Sequence, residues 1–252
     1  MEHAGKHAVI TGGGSGIGKD IAIALAAAGA EVTITGRRSA TLEEVAANSP
    51  RLHPLVMDVD DEGSVRDGIA SAAAARGPIN ICVANAGIAE GGPFAGITLA
   101  EWRRTMTTNL DGVFLTLQAA LATLGPDDQG RMIAVSSIAG VRGLKNAVPY
   151  TATKHGVIGL IRGLSEEYLR RPITFNALCP GYVDTAIVRN QIPGLMRRFD
   201  VDEEGAIALI AKGNRSAQLL AVDEVTAAAM WLCSDGARNV NGQTVEISGG
   251  QV

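Results

Sequence analysis

Cysteine is scarce in this chain of 252 residues: Cys82, Cys179 and Cys233 are the whole complement. They lie far apart, and Cys82 and Cys179 sit within apolar runs. That spacing argues against a disulfide framework or a zinc site and points to buried, reduced thiols of a cytosolic protein. Positive charge is also in short supply. Twenty-two Lys and Arg stand against 26 Asp and Glu, a formal charge of −4. Without a basic excess to neutralise phosphates, a nucleic-acid partner is not expected. No uninterrupted apolar run reaches the roughly 20 residues of a membrane span, so no membrane partner is expected either. Between Met1 and the first apolar strand there is no room for a basic segment, an apolar stretch and a cleavage site. A secretion signal is therefore not expected, and the cytoplasm is the expected location. His3, His7 and His53 are too scattered to suggest a metal site.

What is present is apolar residue in quantity, 46% of the chain, enough for one sizeable core and one domain over residues 1–252. Short β-branched runs at 7–11, 31–35, 54–57, 79–84, 132–136, 173–178 and 243–247 read as strands. Several are continuously apolar, as strands buried on both faces should be. Between them, residues 19–28, 41–48, 63–76, 98–124, 150–170 and 223–234 have helix-forming composition. Gly29 stands where the first helix should end, and Thr98 with Glu101 forms a capping-box pattern. Alternation of this kind predicts a single-domain α/β fold of the doubly wound Rossmann type. Its seven-stranded, mostly parallel sheet should carry helices on both faces. Only residues from about 186 to 220 break the alternation. An insertion at the carboxyl edge of a sheet tends to cover the ligand site, so this segment reads as a substrate lid.

The first strand is followed at once by Thr11-Gly12-Gly13-Gly14-Ser15-Gly16-Ile17-Gly18 and then a helix. Gly12, Gly16 and Gly18 leave no Cβ in the way of a pyrophosphate, and the helix beyond offers free N–H groups and the positive end of its dipole. A P-loop nearly fits, but Asp20 stands where a magnesium-binding hydroxyl is needed, and a carboxylate there would repel phosphate. The nucleophile elbow fails as well, because Ile17 occupies its last position. Further along, Tyr150 and Lys154 lie four residues apart at the start of a helix and so share a face. A free phenol, with a pKa of about 10, is a poor base at neutral pH. A neighbouring ammonium favours the phenolate, and the pair can give a proton to a carbonyl oxygen or take one from an alcohol. Ser136-Ser137 ends a strand just upstream, at the sheet edge where α/β proteins present ligand groups.

Taken together and in order, these residues resemble the short-chain dehydrogenases/reductases. The likeness runs through the glycine loop, Asp58-Val59, Asn85-Ala86-Gly87, Asn109, Ser137, Tyr150-Thr-Ala-Thr-Lys154 and Pro180-Gly-Tyr-Val-Asp-Thr185, so it covers essentially the whole chain. It implies an NAD(P)-dependent oxidoreductase that moves a hydride between a nicotinamide ring and a carbonyl or secondary-alcohol carbon. The implied catalytic set is Asn109, Ser137, Tyr150 and Lys154. Tyr150 would be the acid/base, and Ser137, preferred to Ser136 from the family's spacing, would orient the substrate oxygen. Lys154 would hold the ribose hydroxyls and lower the Tyr150 pKa, and Asn109 would hold a water that relays protons to solvent. The implied cofactor contacts are Gly12, Ser15, Gly16, Ile17, Gly18, Asp58 at the adenine amino group with Val59 beside it, Asn85, Gly87, Tyr150, Lys154, Val183 and Thr185. The family is commonly tetrameric, which implies a homotetramer joined through 98–124, 150–170 and the tail to 252.

At the end of the second strand the chain reads Thr35-Gly36-Arg37-Arg38. An acidic residue here would bind a ribose 2′-hydroxyl and repel a 2′-phosphate. Its replacement by Gly36, with guanidiniums following, favours NADP(H) over NAD(H), and Arg37 or Arg38 could bind the phosphate, Arg37 being the one expected at the cofactor. For the substrate, a small carbonyl compound or alcohol, the expected contacts are Ser137, Leu144, Asn146 and Tyr182, with Ile88, Ala139, Ile187 and Leu195 nearby. This mostly apolar set suits an alkyl or alicyclic ketone. Basic residues of the lid segment, Arg189, Arg197, Arg198, Lys212 and Arg215, could meet the phosphates of an acyl thioester or could form a solvated face. By analogy with the family, the substrate is a 3-oxoacyl or 3-hydroxyacyl thioester or a simple ketone. The alternative is a dinucleotide-binding sensor on the same fold, but a sensor has little reason to keep a proton-transfer set.

Overall fold

The computed structural model describes residues 1–250; residues 251 and 252, the last of the expected domain and assembly tail, lie outside the described residues. Seven strands form one sheet: β1 (His7–Thr11), β2 (Glu31–Gly36), β3 (Leu52–Val56), β4 (Ile79–Ala84), β5 (Gly130–Val135), β6 (Ile173–Pro180) and β7 (Thr244–Ile247). Their order is β3-β2-β1-β4-β5-β6-β7. Every pairing is parallel, so the sheet is wholly rather than mostly so. Alternate residues of each strand enter different layers. Ile10, Ile34, Val83 and Ile133 pack against α1 (Gly16–Ala27), α2 (Ser39–Ala46) and, past residues 186–220, α10 (Val222–Cys233). Val9, Cys82, Met132 and Phe175 pack on the other side against α3 (Glu62–Arg76), α5 (Gly112–Leu121) and α6 (Val148–Glu167). Continuous burial of β1, β5 and β6 explains their uninterrupted apolar runs.

Local signals account for the helix ends. Gly29, at φ +103°, closes α1 through bonds from the Gly29 N–H to the Ala26 carbonyl and from the Ala30 N–H to the Leu25 carbonyl. Thr98 and Glu101 make the reciprocal capping box at the start of α4 (Leu99–Met106). The single helix expected over 98–124 is interrupted, however. A π turn, Thr107–Asp111, separates α4 from α5. Such insertions are concentrated at functional sites, and here the inserted turn carries Asn109.

Residues 186–220 form α7 (Ala186–Arg189), α8 (Ile192–Phe199), α9 (Glu203–Ala211) and a return loop. Val188, Ile192, Ala206 and Ile210 give this segment a small core of its own, apart from the two layers of the sheet. Strand order reverses between β2-β1 and β4-β5, and a crevice for a ligand is expected beyond the carboxyl ends at that point.

Candidate active site

A trench runs across those carboxyl ends as two cavities that share Gly87 and Ile88. The first, of about 350 Å³, is lined by the glycine loop, the end of β2 and the Asp58 turn. Here Gly12 has φ +66°, and a Cβ added to it would lie 2.8 Å from Asn85 Nδ2 and 3.1 Å from the Ala86 Cα. Gly16, at φ +53°, faces Thr185, while Ser15 lines the cavity. Gly18 has a packing task as well. It is buried, and an added Cβ would lie 2.5 Å from Asn85 Nδ2 and 2.6 Å from the Gly12 carbonyl oxygen, so it lets α1 close onto the sheet. Asn85 fastens β4 to β1: its Nδ2 donates to the Thr11 carbonyl at 2.9 Å, and the Asn85 and Ala86 N–H groups donate to Thr11 Oγ1 at 2.9 and 3.0 Å.

At the far end of this cavity, Asp58 accepts the Asp60 N–H, and Val59 beside it packs under Gly112. Arg37 and Arg38 both line the wall, are exposed, and form no ion pair among the described residues. One polar group on this wall escaped the sequence reading. The Thr35 hydroxyl is buried on this wall and has no partner among the described residues. A buried hydroxyl left unbonded is costly unless something polar reaches it. With the glycine bend and two unpaired guanidiniums, it makes the cavity fit one end of a phosphate-bearing dinucleotide.

The second cavity, of about 500 Å³, contains the proton-transfer residues. Ser137 and Tyr150 line it, and their side chains are hydrogen-bonded to each other. Ser136 turns away: its Oγ donates to the Lys154 carbonyl at 3.0 Å and pins α6 to β5. Lys154 is buried, donates from Nζ to the Val135 carbonyl at 2.8 Å, and lies 5.6 Å from the centre of the Tyr150 ring. Burial lowers its pKa to about 8. Tyr150 moves the other way. Burial raises its pKa above the usual phenol value and the Ser137 hydrogen bond only opposes that rise, so the expected depression by Lys154 is not what this geometry produces.

Asn109 is fully buried on its π turn. Its side-chain amide is already engaged, accepting from the Ile88 N–H and donating to the Ile88 carbonyl, each at 2.8 Å. Through these bonds it fixes the chain segment that both cavities share. Under this cluster lies Cys179, whose thiol contacts Ser136 and Ser137 and is pushed up to about 11 by burial; the sequence did not single it out.

Leu144, Asn146 and Tyr182 line the second cavity as expected, with Ile88, Ile187 and Leu195. Ala139 does not: it is fully buried behind Ser137 in a short 3₁₀ turn. Val183 and Thr185 line the cavity where β6 passes into α7. The segment 186–220 is tied down by a residue not foreseen, Asn214. Its Nδ2 donates to the carbonyls of Tyr182 and Gln218, and its Oδ1 accepts the Tyr182 N–H. His155 is exposed and bonds the Thr151 carbonyl of its own helix, away from the cluster.

Comparison with known proteins identifies the company this arrangement keeps. The family model described as short chain dehydrogenase matches residues 6–195. Levodione reductase of Leifsonia aquatica is 36% identical over 252 residues, covering 96% of this chain and 92% of that protein. Acetoacetyl-CoA reductase of Rhizobium meliloti (strain 1021) is 34% identical over 244 residues, 97% of each. A solved structure of an actinorhodin polyketide ketoreductase variant with NADPH superimposes with a TM-score of 0.92 at 29% identity, covering 99% of this chain and 98% of that one.

Proposed function

The chain belongs to the short-chain dehydrogenases and is an NAD(P)-dependent oxidoreductase interconverting ketone and secondary alcohol; from that premise we propose the roles its residues play and the substrate it takes. The reading is carried by the convergence of Ser137, Tyr150 and Lys154 on one wall of the second cavity. When bound, the nicotinamide supplies the hydride or accepts it. The protein handles the oxygen. The Ser137 hydroxyl holds the carbonyl oxygen and the Tyr150 phenol gives it a proton, and in oxidation the proton returns along the same path. Burial keeps Tyr150 protonated, which suits the direction of reduction. Lys154 would hold the nicotinamide ribose hydroxyls, and Val183 and Thr185 the carboxamide. Asn109 acts as a positioning residue through Ile88.

Unpaired Arg37 beside the Thr35 hydroxyl supports NADP(H) over NAD(H). The apolar lining supports an acyl or alicyclic ketone, with 3-oxoacyl thioesters the favoured class and residues 186–220 acting as lid. Exposed Leu99 and Phe114, on α4 and α5, support association of copies into a tetramer through these helices. No helix of the described residues is long and apolar enough to cross a membrane, and we place the protein in the cytoplasm. The test is absorbance at the reduced-nicotinamide band with a panel of 3-oxoacyl thioesters and simple ketones. Tyr150→Phe should lower turnover by about 10²- to 10⁴-fold while dinucleotide affinity, read by fluorescence titration, stays within about twofold. Full turnover in that variant would remove Tyr150 from the mechanism.

A further inference from the structure

Of the lid's five basic residues, the structure singles out one. Arg189 forms two bonds of 2.6 Å to Asp184 and also approaches Glu203, and Arg215 donates to the Gly249 carbonyl. Of the five, only Arg198 lines the second cavity. It reaches that cavity from α8, with its guanidinium beside the Phe199 ring. A second cation, Lys145, lines the same cavity from the loop between β5 and α6. Both are exposed, and neither has an ion-pair partner among the described residues. The acid that shares this lining, Glu90, is already paired with Arg104. Two uncompensated cations thus stand at the mouth of one cavity in a chain whose formal charge is −4.

Burial orders the cavity from floor to mouth. Ser137 and Lys154 are buried, Tyr150, Leu144 and Leu195 are half-buried, and the two cations are exposed. A ketone seated on the floor beside Lys154 therefore meets Lys145 and Arg198 only at its distant end.

We propose that Lys145 and Arg198 form an anion subsite for a ketone substrate whose acyl chain ends, remote from the reacting carbonyl, in a phosphate-bearing arm. The inference rests on the reductase reading and narrows it. The phosphate of a thioester arm is remote from the reacting carbonyl, as the exposed cations are from the buried floor, whereas the carboxylate of a short 3-oxo acid adjoins it. Exposed pairs of this kind each contribute up to about 1 kcal/mol, or up to about fivefold, and they weaken with salt.

The test compares the wild type with Lys145→Gln, Arg198→Gln and the double variant. One readout is the ratio of kcat/KM for acetoacetyl-CoA to that for its neutral N-acetylcysteamine analogue, with acetoacetate as a short-carboxylate arm. The other is calorimetric affinity for coenzyme A at low and high salt. The ratio should fall about threefold for each single variant and about tenfold for the double, with a parallel, salt-sensitive loss of coenzyme A affinity. Acetoacetate should be affected least. If it responds as strongly as the thioester, the remote placement is overturned. An unmoved ratio and an unmoved affinity in the double variant overturn the subsite and leave the reductase standing. Absence of turnover on every ketone, with coenzyme A affinity still lost in the variants, overturns the reductase and keeps the subsite.

Discussion

Lys154 sits among buried groups, yet its amine must be charged to serve the phenol and the ribose. Burial lowers its pKa to about 8, so the ammonium is present below that value and is lost as pH rises through it. Tyr150 is held above its ordinary value and stays protonated over the same range. Ketone reduction should therefore decline above pH 8 with a single ionisation. A pH profile of kcat/KM from about 6 to about 10 checks this, and Lys154→Met should remove the limb. A profile that stays flat through pH 8 and turns down only at its alkaline end would assign the ionisation to Tyr150 instead. At the other end of the trench, a guanidinium that meets a phosphate makes charge-assisted bonds. Arg37→Ala is expected to raise KM for NADP by about tenfold or more and to change KM for NAD little. Equal effects on both would refute that contact. Both positions could be named from sequence because their chemistry is carried by residue type and spacing. Thr35 and Asn214 could not, since a threonine in a strand and an asparagine in a loop look ordinary until the chain brings their partners near or leaves them bare.

Among the elements, strands were legible because parallel strands covered on both sides leave long β-branched runs. Their ends were less so: β5 begins at Gly130 and β6 runs on to Pro180, positions set by the neighbouring strand rather than by local composition. The interrupted helix at Thr107–Asp111 was invisible, because one extra residue in a turn hardly disturbs an apolar period. Gly18 is a case in which the residue was found but its packing duty was not. An alanine there would press its methyl against Asn85 and the Gly12 carbonyl, so Gly18→Ala should cost about 1–3 kcal/mol of stability. Urea denaturation would register it. An unshifted midpoint would mean that α1 can back away from β4 without loss.

For the molecule as a whole, acid stability hangs on two histidines distant from the chemistry. His3 and His7 are buried and held neutral, each with its pKa lowered chiefly by burial; for His7 the Gly77 carbonyl opposes that shift. The unfolded chain takes up those protons below about 6.5, so stability should be full above that pH and be lost as pH falls below it. Carboxylates such as Asp184 and Glu101, which are lowered by their partners, contribute their losses only at more acid values. The urea midpoint between about pH 7.5 and pH 5 should fall, and His7→Gln should flatten the dependence.

Because Asn109 grips Ile88 by both its N–H and its carbonyl, the wall dividing the two cavities is bolted to the π turn that leads into α5. Pressure on the outer surface of α5, where Phe114 lies bare, would be felt first at that partition. A substitution there could loosen the grip on coenzyme and ketone together without touching either.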